Sequence, residues 1–410
     1  MTYTLLRGNF VIRYPDLPRQ GPEPDGDTIK FLPDTPALIE ALPRPSGTSP
    51  DLNRRGISVR LEAIDTLETH FEETHQRLEW ANAARDRLLA LLGFTGVEFF
   101  DDLPNKVRRA DQDSIRGYVL SNGIDANGRL IAFVYGGPTE SPDGLPVFLT
   151  PETADASANR ILLAEGLAYP AYYATLPAEL RDHLAGISRA ARPSTGLWPH
   201  ASGDPGRPAT VTADTLDETI IWPKLFRRLV PYFAAGHPNF DQFDAWLRAD
   251  PVHRDDALWL IEKQELGNLH DVVRASGNTI ELTAWPEDFV IAPDPATGPT
   301  TPSGVLTGDL LIVAALPNPV GADAGAEKIT LLNVTPDPLK LDGWHLRDGS
   351  GNKTPLSGAV EAGTVKVVNV SWLNNDGDSI MIVDPKGVVI DTVTYKADKV
   401  RNGRTIAFGR

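Results

Sequence analysis

Between Pro293 and Gly308 the chain runs through Pro, Thr and Gly with almost no large apolar residue. A stretch that can bury so little marks a linker between folding units, and we place it at 293–306. It constrains the fold more than any other feature because the hydrophobic pattern differs on its two sides. After it, apolar and polar residues alternate in short runs such as Lys328–Asn333, Thr364–Val368 and Ser379–Val383, separated by Asn, Asp, Gly and Pro. This period of two with regular turn signals predicts an all-β sandwich over 307–410. Before it, strand-like and helix-like periods follow one another, as in a mixed α+β unit. Charge divides at the same place: the whole chain carries −16, of which the part from Thr307 onward holds only −1.

The first unit opens on a strand at Phe10–Tyr14 and a Pro-rich loop. Asp25-Gly26 then reads as a hairpin turn leading into Thr28–Phe31. The key stretch is Val59–Glu68, in which Val59, Leu61 and Ala63 alternate with Arg60 and Glu62. Such alternation belongs to a half-buried strand and puts Arg60 on the face opposite Leu61. Asp65, Thr66 and Glu68 follow where the strand ends, so a cation and two carboxylates meet at a strand-to-loop junction. By itself that pattern is more often an exposed edge with ordinary surface charges. A turn at Asp125–Gly128 leads to an apolar strand, Leu130–Tyr135, which places Arg129 at the mouth of a hairpin.

Helical spacing runs from about Phe71 to Leu92, ending at Gly93. His70 and His75 lie close to Glu72 and Glu73, but residues at i and i+5 stand about 140° apart on a helix, which argues against a shared zinc ion. Further helices are expected at 158–168 and 177–192. Strands with helices between and after them predict a five-stranded OB-type barrel over 1–200. Over 201–292 the aromatic and aliphatic residues from Phe226 to Ile261 keep helical spacing, which predicts a mainly helical extension packed on the barrel.

Composition narrows the function. With no cysteine, disulfides, thiolate zinc sites and a cysteine nucleophile are excluded. A net charge of −16 excludes a broad basic face for nucleic acid, so attraction to a polyanion has to be local or helped by a divalent cation. No window approaches the ~18 apolar residues of a membrane span, and no signal peptide is visible after Met1, which favours the cytoplasm unless a leader has been removed.

Three separated stretches, Asp25-Gly26-Asp27-Thr28, Arg60 through Glu68 and Asn127-Gly128-Arg129, occur in the order and spacing of the staphylococcal-nuclease-like (thermonuclease) family. The chain resembles that family over roughly residues 8–200, including the helix Asn159–Ala168 and the close at Gly196-Leu197-Trp198. The resemblance implies a Ca²⁺-dependent hydrolysis of phosphodiester bonds in DNA or RNA. It implies Asp27, Asp65 and the Thr66 carbonyl as Ca²⁺ ligands, with Asp25 nearby through water. Glu68 would be the general base, and Arg60 and Arg129 the arginines on the phosphate. Tyr172 falls where the family has a tyrosine near the nucleobase, although it reads equally as a core residue at a helix end. The sequence departs from the family in having Leu67 in place of proline, which loosens the loop carrying Glu68. It also has Ala126 and Asn127 where lysine and tyrosine are usual.

The tail resembles the lamin-tail domain through Leu316-Pro317-Asn318-Pro319, Asp323, Glu327, Leu332-Asn333, Leu341-Asp342-Gly343-Trp344 and Leu373–Asp378. That resemblance implies an immunoglobulin-like sandwich used for binding or tethering, with protein, DNA or an envelope component as partner. Two alternatives stand beside the nuclease reading. One is a catalytically silent module that binds nucleic acid or protein, although such modules lose the arginines or acids that this chain keeps. The other is a scaffold in which the tail is the active part. DNA or RNA preference, internal or terminal cleavage, and oligomeric state stay open.

Overall fold

The structure is a computed structural model that describes residues 2–45, 48–292, 310–321, 325–335, 338–385, 387 and 389–408. The expected linker at 293–306 and Asp323 lie outside these residues. The chain divides into two compact units, Met1–Gly298 and Pro299–Arg410.

Five strands of the first unit close into a barrel: β1 (Thr2–Val11), β2 (Thr28–Pro33), β3 (Ile57–Leu61), β4 (Ser114–Ile124) and β5 (Leu130–Gly136). The order around it is β1-β2-β3-β5-β4 and back to β1, with β3 and β5 parallel and the other pairs antiparallel. This is the OB-type arrangement that the strand count predicts. Closure depends on glycines: Gly8, Gly117 and Gly136 stand opposite one another across β1, β4 and β5. A Cβ on Gly117 would come within 2.4 Å of the Phe10 ring, and one on Gly8 within 2.3 Å of the Leu32 carbonyl oxygen. Phe10 and Phe31 fill the space so left, with ring centroids 5.2 Å apart.

The strand through Arg60 does not run on to Asp65. It breaks at Glu62, and Ala63 adopts φ +71°, a left-handed conformation that costs a non-glycine residue energy. The chain then forms a separate short strand, Ala63–Asp65, that pairs with Tyr169–Ala171 rather than with the barrel. Asp25-Gly26 is a turn leading into β2 rather than a hairpin: no strand runs directly into it, and the Asp25 amide donates to the Thr28 carbonyl at 2.9 Å. Gly26 lets the backbone there lie against Thr66 and Ala84, where a Cβ would come within 2.6 and 2.8 Å of their side chains.

Helix α1 (Leu78–Leu92) buries Ala81, Ala84, Leu88, Leu89 and Leu92 and stops at Gly93, whose φ is +102°. It starts later than the spacing from Phe71 predicts. Residues 71–77 are taken up by a Phe71–Thr74 bridge and by contacts of Gln76. Helices α2 (Ala158–Ala164) and α3 (Ala178–Ala191) follow near their expected positions.

Residues 201–292 are not mainly helical. They hold α4 (Pro223–Ala234) and a short helix Phe243–Arg248, but also two small three-stranded sheets. Leu258, Trp259 and Ile261, read as helical from their spacing, lie in or just after the strand Ala257–Leu260. There Leu258 and Leu260 point inward and Ala257 and Trp259 outward, a period of two. The extension and the barrel belong to one unit. A second core around Trp198, Trp222, Phe226 and Phe243 includes Leu67 from the loop after Asp65 and Ala81 from α1.

In the second unit, two four-stranded antiparallel sheets share one core of Ile312, Ile329, Leu331, Leu346, Ile380 and Ile382, as expected for a sandwich. Glu327, buried, accepts a hydrogen bond from the Leu373 amide at 2.8 Å, and Asn333 Nδ2 donates to the Val360 carbonyl at 2.9 Å. Among the described residues no helix is long and apolar enough to cross a membrane.

Candidate active site

A cleft of about 400 Å³ opens at the end of the barrel where β2, β3 and β5 meet the extension. Asp25, Asp27, Arg60, Asp65, Glu68 and Arg129 all line it. Thr66, buried behind them, donates its backbone N–H to Asp27 Oδ2 at 3.3 Å, which ties the β2 entry to the loop after the short strand. Residues from three separate stretches of the sequence therefore line one cleft.

The two arginines are held by different means. Arg60 lies on β3 opposite Thr28 of β2 and Ile131 of β5, so its backbone is fixed on both sides. Its guanidinium donates to the Tyr173 hydroxyl at 3.1 Å and lies over that ring at 4.9 Å. Arg129 leaves a tight turn organised by Asp125, whose Oδ1 accepts from the amides of Asn127 and Arg129 at 2.9 and 2.8 Å. Asp125 Oδ2 accepts from Arg129 Nε at 2.7 Å.

The carboxylates are crowded. Burial, then the charges of Asp27 and Glu68, push Asp25 well above the usual carboxylate range. Burial, then Asp65, raises Asp27. Glu68 is pushed up to about 7, first by burial and then by Asp27 and Asp65 against the opposing pull of Arg227. A carboxylate near 7 is matched to accepting a proton at neutral pH.

The loop carrying Glu68 is not loosened by Leu67. That side chain is fully buried in the second core. Gln76 clamps the loop: its Oε1 accepts from the Glu68 backbone N–H at 3.2 Å and its own backbone N–H donates to the Glu68 carbonyl at 2.9 Å. Gln76 Nε2 in turn donates to the Ile221 carbonyl at 2.9 Å. The extension thus supplies the rigidity that a proline would give.

Tyr172 is elsewhere. It is fully buried and does not line the cleft, whereas its neighbour Tyr173 does. Tyr173 also borders an adjoining cavity of about 270 Å³, walled by Leu61, Ile64, Ile131 and Ala171, which shares Arg60 with the cleft.

Sequence reasoning missed Arg227. It sits on α4 of the extension, where Lys224, Arg227 and Arg228 fall at i, i+3 and i+4 and all three line the cleft. Lys224 and Arg228 pair with Asp256 at 2.7 and 2.8 Å. Arg227 reaches across the cleft: Nη2 donates to Asp65 Oδ2 at 2.8 Å, and Nη1 pairs with Glu68. Burial works against its charge, and Asp65 and Glu68 more than offset that. The basic spacing Lys-x-x-Arg-Arg after Trp222-Pro223 was the available signal.

Asp25, Asp27, Asp65 and Glu68 are oxygen donors on one wall, and the buried Thr66 hydroxyl has no partner. In kind this donor set suits a hard divalent cation. As the side chains stand, no three His, Asp or Glu among the described residues converge tightly enough to hold an ion; Asp65 and Glu68 are turned to Arg227.

Comparison with known protein families and with curated proteins finds no match to this sequence.

Proposed function

We propose that the first unit is a Ca²⁺-dependent phosphodiesterase of the staphylococcal-nuclease-like kind, acting on DNA or RNA. The observation that supports it is the convergence of Asp27, Arg60, Asp65, Glu68 and Arg129 on a single cleft. We take the second unit as a lamin-tail-like, immunoglobulin-like module that binds or tethers, through a protein, DNA or envelope partner.

The chemistry follows from the groups present. A phosphodiester gains negative charge on its non-bridging oxygens as water attacks, and two guanidiniums offer the donor pairs that such oxygens accept. Arg60, fixed by β3 and Tyr173, and Arg129, fixed by Asp125, would take the phosphate between them. Glu68 would accept the proton of the attacking water, and Gln76 holds its backbone in place for that task. Asp27, Asp65 and the Thr66 carbonyl would hold Ca²⁺, which when bound neutralises part of the phosphate charge. With the phosphate so placed, the adjoining cavity beside Tyr173 is the natural seat for a base or sugar.

The test is digestion of single-stranded DNA and RNA in Ca²⁺ and in chelator by the wild type and Glu68→Gln. Cleavage only with Ca²⁺, slowed about 10²–10⁴-fold in the variant, is expected. Equal rates for the two proteins would sink the reading. The silent-module alternative draws on one observation, the hold of Arg227 on Asp65 and Glu68. Binding without cleavage in Ca²⁺ would favour it.

A further inference from the structure

The extension does more than cover the barrel. Its junction at Ile221–Pro223 both clamps the Glu68 loop, through Gln76 and the Ile221 carbonyl, and starts the helix that carries Arg227. One structural joint therefore sets the position of Glu68 and of the guanidinium bound to it. Of the three cations on that helix face, Lys224 and Arg228 are engaged by Asp256 from the same side. Arg227 is committed to the acidic wall, bridging Asp65 and Glu68 with its two terminal nitrogens. Asp65 and Glu68 are mostly buried and Arg227 is one-fifth exposed, so solvent screens the contact only weakly.

We propose that Arg227 is a built-in counter-ion that competes with a divalent cation for Asp65 and Glu68, so that the extension sets how much cation the cleft requires. This rests on the nuclease reading of the same site. The reason is electrostatic. A cation bonded to an Asp65 oxygen lies about 2.4 Å from it, while Arg227 Nη2 lies 2.8 Å from Asp65 Oδ2. Cation and guanidinium would then stand about 5 Å apart or less, and like charges so close in a half-buried site oppose each other strongly. Either the guanidinium withdraws when the cation binds or the cation binds weakly. Both give the same linkage: the cation loosens Arg227, and removing Arg227 tightens the cation.

Calorimetric titration of the full chain with Ca²⁺ tests this without reference to turnover. Arg227→Gln should bind Ca²⁺ about tenfold tighter or more, the order expected for removing one partly screened charge a few ångströms away. Arg227→Lys keeps the charge but cannot bridge both carboxylates, and should fall between the two. It also serves if the glutamine variant fails to fold in the absence of cation. Equal or weaker Ca²⁺ binding by the substituted protein overturns the proposal. Failure of the nuclease reading looks different: Glu68→Gln and wild type would then digest single-stranded DNA alike, whatever the Ca²⁺ titrations of Arg227 variants show.

Discussion

Asp204 offers the most direct check on the electrostatics of the first unit. It is fully buried in the extension, and neither carboxylate oxygen has a hydrogen-bond partner. The nearby Arg207 does not supply one, because Nη1 and Nη2 donate to the carbonyls of Trp198 and Pro199 at 2.8 and 3.2 Å. Burial therefore dominates over the attraction of Arg207 and Arg192 and pushes the Asp204 carboxyl up to about 7, from 3.8. The native state holds this proton where the unfolded chain has lost it. The stability due to the neutral form is thus fully present below about pH 4 and is lost as pH rises to 7 and beyond. At about 1.36 kcal/mol per pH unit, the loss reaches about 4 kcal/mol at pH 8. Asp204→Asn keeps the shape and cannot ionise. It should match the wild type within about 0.5 kcal/mol at pH 4 and exceed it by up to about 4 kcal/mol at pH 8. For a unit of this size that is a rise in Tm of roughly 8 °C. Thermal unfolding followed by circular dichroism at pH 4, 6 and 8 reads the difference. Glu62 and Glu68, also pushed up to about 7, contribute to both proteins and cancel in the comparison. A gap that is constant across pH, or a variant less stable than wild type at pH 8, would refute the reasoning.

Three further substitutions address the arginine cleft, the barrel and an exposed helix face. Arg129→Ala should lower kcat by about 10²–10³ with a smaller change in KM, as for a donor that strengthens its hold in the transition state. Steady-state cleavage assays measure both. Gly117→Ala should cost more than about 2 kcal/mol, because its Cβ would stand 2.4 Å from the Phe10 ring and 2.7 Å from the Tyr135 carbonyl. Gly186→Ala, on the exposed face of α3 where a Cβ meets nothing within 4 Å, should instead stabilise by roughly 0.5–1 kcal/mol. Denaturant titration of both variants separates the two effects.

Local pattern determined much of this protein. The alternation at Val59–Leu61 set β3 and the face of Arg60, the Asp125–Gly128 turn set Arg129, and the period of two after residue 310 set the sheets of the second unit. These features were legible because each depends on neighbours a few residues away. Where the spacing of a short run misled, pairing decided: Leu258, Trp259 and Ile261 read as helical, but pairing of Ala257–Leu260 with Glu265–Asn268 and Phe289–Ile291 makes that run a strand. Tyr172 and Tyr173 differ by one residue, and their opposite fates were decided by the run that pairs Tyr169–Ala171 with Ala63–Asp65 and bridges Tyr173 to Ile291. The Glu68 loop looked loose because its clamp, Gln76, and the core around Leu67 depend on residues beyond Trp198. Arg227 was least legible of all. Nothing near it in the chain announces Asp65 or Glu68, and only the packing of α4 beside the Asp65–Glu68 segment brings a guanidinium to carboxylates some 160 residues away. Periodicity is a property of neighbouring residues, whereas the electrostatics of the cleft belong to the packing of distant ones.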